Sequence, residues 1–246
     1  MGGWANGLLD NDSAQDWLGV FASEIKNDII EIHEQSSRKH AGTLCAAVGI
    51  LLRLSRDFDP FPGLGDPPHF YPRLICAISA NVKHLINFPG NSPQVLAAVL
   101  SGKGQELAER PSKLKKSVSR CLHEGQPGIL QSAFSKLEDD MFAHPSSKSY
   151  IKLKTKRLIK QIDEQLTDHE CILDMHFYPL GAMLAIPLLL PLDGLRSSKI
   201  QKWQDKCKKT WASKNADEDT NDIHSSRKYR RSVLAAFKHM STVYGG

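Results

Sequence analysis

Apolar residues recur at every third or fourth position between residues 12 and 35, which is the spacing of one face of an α-helix. The stripe consists of Trp17, Val20, Phe21, Ile25, Ile29 and Ile32. Charged residues such as Lys26 fall between them. Asp12 and Gln15 are spaced as a capping box, in which the first side chain accepts a hydrogen bond from a free backbone amide. We therefore predict an amphipathic helix that begins near Asp12 and ends near Gln35.

Helical spacing also covers much of the rest of the chain. Residues 41–56 are apolar on nearly every side, as in a helix at the centre of a core. The lysine-rich segments 148–167 and 199–213 and the segment 227–243 each carry an apolar stripe. Residues 171–192 contain three prolines, which predict short helical pieces or a strand rather than one long helix. Since strand signals are few, we predict an all-α or predominantly α fold, a multi-helix globular bundle.

Two segments interrupt the helical series. The proline-rich segment 57–72 is predicted to be a loop, because proline cannot continue a helix. Its aromatic residues are suited to anchoring a partner protein. These candidates for a partner-binding loop are Phe58, Phe61, Phe70 and Tyr71. The sequence Gly-Gln-Pro-Gly at 125–128 marks a predicted domain boundary. It separates a helical domain at 1–125 from a basic helical part at 126–246, and the two parts could still pack as one unit.

Composition places the chain among proteins that fold, with 41% hydrophobic and 24% charged residues. This excludes a wholly disordered chain, and the lack of a G-x-y repeat excludes a collagen-like one. The net charge of +5 is uneven, since residues 1–123 carry +1 and residues 124–246 carry +4. So mild an excess permits a nucleic-acid or membrane partner without requiring one.

Cysteine usage and apolar run lengths bear on the compartment. The five cysteines are scattered without a C-x-x-C pair, which favours reduced, buried thiols. The sequence opens without a basic and apolar signal segment. The apolar runs at 43–54 and 180–192 are shorter than the roughly 20 residues that a bilayer span needs. We expect a cytoplasmic protein with no membrane partner.

The opening, MGGWANGLLDNDSAQDW, is the most specific signal in the sequence. It resembles an uncharacterised bacterial domain-of-unknown-function family whose members begin M-G-x-W-G-x-G-x-F-D-N-D-x-A-x-D-[WF]. The matching residues are Gly2, Trp4, Gly7, Asp10, Asn11, Asp12, Ala14, Asp16 and Trp17, while Ala5 and Leu9 replace the family's Gly and Phe. The resemblance extends in outline to about residue 125. Similar proteins tend to be bacterial and cytosolic, and to be encoded among toxin–immunity and other accessory genes, which suggests an immunity role.

The acidic residues of this motif allow two interpretations. Asp10, Asp12 and Asp16 could offer carboxylate oxygens to a divalent ion, as in a metal-dependent hydrolase. In the interpretation that we favour, Asp12 caps the helix, Asn11 closes a turn and Trp4 folds back onto the helix start. The motif residues Trp4, Gly7, Asp10, Asn11, Asp12, Asp16 and Trp17 are then structural or partner-binding. We expect no catalytic residue, metal or cofactor.

Two other groups of residues are candidates for a metal site and for a nucleic-acid-binding surface. His169, Cys171, Asp174 and His176 are metal-type ligands, but they lack the spacing of dependable zinc sites. The basic segments at 113–120, 148–160, 199–214 and 227–231 could contact phosphates, with tryptophans as stacking platforms. However, Trp203, Cys207 and Trp211 share one helical stripe, which predicts that both rings lie in the core.

The function that follows from these observations is a non-enzymatic protein-binding inhibitor. We expect an immunity protein that neutralises a cognate bacterial toxin or effector by direct contact. A charge of +5 has the wrong sign for imitating nucleic acid, so the partner is expected to present an acidic face. A nucleic-acid-associated helical protein is the less favoured alternative, followed by the metal-dependent hydrolase.

Overall fold

The predicted α-helical class is confirmed by the computed structural model. The structure describes residues 7–35, 41–54, 73, 76–77, 145–175, 178–190, 192, 194–214 and 223–245. Its helices are α1 (Asp12–Glu34), α2 (Ala41–Leu54), α3 (Pro145–Gln165), α4 (His169–Leu173), α5 (Leu180–Leu189), α6 (Ser197–Lys214) and α7 (Ile223–Tyr244). These ranges contain no β-strand. The described residues of 171–192 lie largely in two short helices, α4 and α5, which is the first of the two predicted forms, and they contain no strand.

Helix α5 lies at the centre of the core. Each of its ten residues is buried, because the segment is apolar on every side. It packs against α1, α3 and α7, while α2 packs against α1 and α3, and α6 packs against α7 and α4. Helices from the early and late parts of the sequence thus share one hydrophobic core. The predicted domain boundary near residue 125 lies outside the described residues.

The rotation of α1 differs in detail from the predicted stripe. Its buried residues include Leu18, Phe21, Ile25 and Ile29, as expected. Val20 was predicted to be part of the apolar face, but it is 60% exposed because it sits one position off the row that faces the core. Lys26 was predicted to lie on the polar face, and it is only 2% exposed.

The start of α1 is capped by a different residue from the one predicted. Asn11, not Asp12, is the N-cap, and its Oδ1 accepts a hydrogen bond of 2.8 Å from the amide of Ala14. The side chain of Gln15 donates to the carbonyl of Leu9 at 2.9 Å instead of closing a capping box. The helix bounds are as predicted, because both Asn and Asp are favourable at an N-cap and stand next to each other here.

Two tyrosines of α7 contact the two ends of α5. Near its start, the Tyr229 hydroxyl lies so close to Gly181 that a methyl group on Gly181 would be 1.9 Å from it. Near its end, the Tyr244 hydroxyl is 2.8 Å from the Pro187 carbonyl oxygen and accepts a bond of 3.2 Å from the Leu192 amide. Helix termini leave carbonyl groups without intrahelical partners, so Tyr244 acts as a side-chain cap for α5.

Candidate functional site

The N-terminal motif is built into the core from residue 7 onward. Asp10 is almost fully buried, and its carboxylate accepts a hydrogen bond of 2.9 Å from the amide of Gly7. In return, the amide of Asp10 donates to the Gly7 carbonyl at 3.2 Å. This reciprocal pair closes a tight turn that sends Leu8 and Leu9 into the core, where both are fully buried. Asn11 follows as the cap of α1, so the polar residues of the turn stabilise its backbone.

The turn packs against helices from the late part of the sequence. The backbone carbonyl of Leu8 lies beside Gly181 of α5, where it would be 3.3 Å from an added methyl group. Burial raises the pKa of the Tyr229 hydroxyl, and the nearby charge of Asp10 raises it further. Gly7, Asp10 and Asn11 are therefore engaged in the turn and the cap at the start of α1.

The three aspartates of the motif do not form a metal site. Asp10 turns back to the Gly7 amide, whereas Asp16 is exposed on α1. Among the described residues, no group of three His, Cys, Asp or Glu side chains is arranged to hold a metal ion. Trp17 is half-buried and stacks on Phe21 with ring centroids 5.4 Å apart. Trp4 lies outside the described residues, as do the loop candidates Phe58, Phe61, Phe70 and Tyr71.

The cysteine and histidine cluster is likewise not assembled as a metal centre within the described part of the chain. Cys171 is buried in α4, and burial, together with the charge of Asp168, raises the pKa of its thiol. His169 is exposed, and His176 lies outside the described residues. A raised pKa lowers the thiolate fraction of Cys171 near neutral pH, which makes it a poorer nucleophile.

The tryptophans of α6 are core residues, as predicted. Trp203, Cys207 and Trp211 are all buried. The indole of Trp203 donates to a carboxylate oxygen of Asp163 at 2.8 Å, and that of Trp211 donates to the carbonyl of Ile172 at 2.9 Å. Both rings are therefore used in packing and hydrogen bonding inside the protein. They are not presented as platforms for nucleic-acid bases.

Seven lysines of α3 and α6 point outward. On α3, the side chains of Lys148, Lys152 and Lys156 are exposed and make no ion pair within the described residues. On α6, the same holds in that part of the chain for Lys202, Lys206, Lys208 and Lys209. We call these seven exposed lysines, three on α3 and four on α6, the lysine surface. A negatively charged surface would be electrostatically complementary to these lysines.

The contact between α1 and α3 was not anticipated from the sequence. The Tyr150 hydroxyl donates to Asp28 at 2.5 Å, and Lys154 pairs with the same carboxylate oxygen at 2.6 Å. Burial, followed by the hydrogen bond to Asp28, raises the pKa of Tyr150 far above its usual range. Arg157 adds a second ion pair, 3.1 Å from Glu24. Local sequence patterns do not indicate these hydrogen bonds and ion pairs, because they join positions more than 100 residues apart.

The comparisons with protein-family models, curated proteins and solved structures found no match. Within the described ranges, no helix combines the length and apolar character required to cross a membrane.

Proposed function

We propose that the protein is a non-enzymatic inhibitor that binds another protein, and specifically an immunity protein that neutralises a cognate bacterial toxin or effector by direct contact in the cytoplasm. The observation that carries the proposal is the lysine surface on α3 and α6, defined above by seven exposed lysines without ion pairs in the described part of the chain. Complementary charge increases the rate of encounter and suppresses incorrect partners. The toxin would thus present a carboxylate-rich face.

The N-terminal resemblance supports the choice of a toxin as the partner, since similar proteins tend to be encoded among toxin–immunity and other accessory genes. The structure adds that the described motif residues Gly7, Asp10 and Asn11 are engaged in packing. The contact surface is therefore expected elsewhere on the molecule. The lysine surface and the predicted aromatic loop at 57–72 are the two candidates.

The proposal is tested by co-expressing the full chain with the product of the adjacent gene. We expect the two proteins to elute together in size-exclusion chromatography at 50 mM NaCl, and the complex to weaken at 500 mM because charge pairs at its rim are screened. Toxicity of the adjacent product should be suppressed in the same cells. Separate elution at both salt concentrations would contradict the proposal.

A nucleic-acid-associated role is the second candidate, because the lysine surface would also attract phosphates. The burial of Trp203 and Trp211 counts against single-strand binding, which relies on exposed aromatic rings. Gel-shift assays with duplex and single-stranded DNA and RNA at 50 and 200 mM salt separate the candidates. A shift at low salt that falls steeply with salt would favour this second role, and no shift at low salt would remove it.

A further inference from the structure

The outward row of helix α3 is the most regular part of the lysine surface. Lys148, Lys152 and Lys156 are four residues apart, so they follow one another at about 6 Å along the same side of the helix. Residues 148–160 contain no acidic residue, whereas the exposed lysines of α6 are interrupted by Asp205. The row on α3 is thus a continuous line of positive charge.

The rotation of α3 is fixed, which holds the row in place. On its inner side Tyr150, Ile151 and Leu158 are buried. On its flank, Lys154 and Arg157 pair with carboxylates of α1. Apart from Lys160, which pairs with Glu164 on α3 itself, the helix therefore carries paired cations that bind α1 and unpaired cations that face away. A surface held in one orientation loses less conformational entropy when a partner binds.

An exposed apolar residue lies beside this row. Leu153 is 64% exposed, and its neighbours on the helix surface include Lys156 and Arg157, three and four residues further along. Phosphate groups make no apolar contact with a leucine side chain, whereas an apolar patch on a protein can bury it. An apolar contact surrounded by charged residues is the usual arrangement of a protein–protein interface.

On this basis, and resting on the proposed function, we infer that the outward row of α3 binds a helix of the partner that carries carboxylates at four-residue spacing. An acidic helix laid along α3 matches the row because both repeat at about 6 Å. Leu153 packs against an apolar side chain between those carboxylates.

Two peptides of identical composition test the inference with the full chain. Both are 18-residue helical peptides containing leucine and four glutamates. In one, the glutamates stand at every fourth position. In the other, they are distributed around the helix, with helicity matched by circular dichroism. Because three exposed charge pairs add to its affinity, we expect the first peptide to bind roughly tenfold tighter in fluorescence anisotropy at 50 mM NaCl.

Matched triple variants locate the binding. K148E/K152E/K156E should abolish the preference for the row peptide, whereas K202E/K206E/K209E on α6 makes the same change in net charge and should leave the preference within about twofold. Leu153→Ser should weaken the row peptide about threefold without affecting a 20-bp DNA duplex. Far-UV circular dichroism and a thermal melt check that each variant is folded, as expected for exposed positions.

The outcomes separate the inference from the proposed function. Equal binding of the two peptides, equal losses in the two triple variants, or a duplex that binds through α3 with no peptide preference would each overturn the inference. If the toxin complex forms but tolerates K148E/K152E/K156E, the proposed function stands and this surface is wrong. If the peptide preference holds and no toxin complex forms, the surface stands without the immunity role.

Discussion

Replacing Gly181 with alanine should destabilise the protein by forcing apart α5 and α7. The new methyl carbon would lie 1.9 Å from the hydroxyl oxygen of Tyr229 and 3.3 Å from the carbonyl oxygen of Leu8. A non-bonded carbon needs about 3.4 Å or more, so the tyrosine ring would have to move by about 1.5 Å. Tyr229 is buried and has little room for that movement.

The expected loss follows from two opposing effects. Overpacking in a filled core costs about 1–3 kcal/mol, and we expect the upper half of this range because both neighbours are buried. Alanine regains up to about 1 kcal/mol through its better helix propensity. Gly181→Ala should therefore lower the free energy of unfolding by about 1–2 kcal/mol. The measurement is urea unfolding followed by circular dichroism at 222 nm.

Two further variants make the test specific to the Tyr229 contact. A methyl group at Gly19 in α1 would meet no atom within 4 Å, so Gly19→Ala should stabilise the protein by about 0.5–1 kcal/mol. In the double variant Gly181→Ala, Tyr229→Phe, the nearest ring carbon would be 3.2 Å from the methyl group, and most of the loss should be recovered relative to Tyr229→Phe alone. A cost for Gly181→Ala that is the same in both backgrounds would refute the steric account.

Three other predictions concern the cap, the Trp203 hydrogen bond and a buried thiol. Asn11→Ala should cost about 1 kcal/mol in urea unfolding and Asn11→Ser much less, and equal costs would argue against Asn11 as the cap. Asp163→Ala leaves the Trp203 indole without its acceptor and should cost about 1–3 kcal/mol, whereas Asp163→Asn keeps an acceptor and should cost less than about 1. Burial raises the pKa of Cys207 from 9.0 to about 12, so the folded state keeps a proton that the unfolded state releases. The contribution of the protonated thiol to the free energy of unfolding is fully present below pH 9. As the pH rises towards 12, that free energy falls by up to about 1.4 kcal/mol per pH unit. Urea unfolding at pH 8, 9 and 10 should show a shallower decline for Cys207→Ala than for the wild type, and parallel declines would contradict the prediction.

The sequence predicted those features that depend on local spacing. The i, i+4, i+8 stripe of Trp203, Cys207 and Trp211 is buried as expected, and the apolar segment that became α2 is largely buried. Helical periodicity reports which side of a helix is apolar, and burial of that side is the dominant favourable term in folding. These predictions therefore needed no knowledge of the neighbouring helices.

Features that depend on contacts between distant helices were not predicted. Lys26 interrupts the apolar pattern of α1 and yet is buried, and Val20 continues that pattern and yet is exposed. The pairing of Asp28 with Tyr150 and Lys154 joins α1 to α3, and nothing within either segment indicates it. For the candidate site, the sequence supplied the lysines, but only the packing of α3 shows which of them face outward without an ion pair in the described part of the chain.

The position of Leu8 and Leu9 has a consequence for synthesis on the ribosome. The Leu8 carbonyl lies beside Gly181 and the Tyr229 hydroxyl, which are translated about 170 or more residues later. At about 5–20 residues per second, roughly 10–35 s pass before α5 is made. During this interval two leucines and the apolar face of α1 have no completed core to enter. We therefore expect chaperones to bind the nascent chain until its late helices emerge from the ribosome.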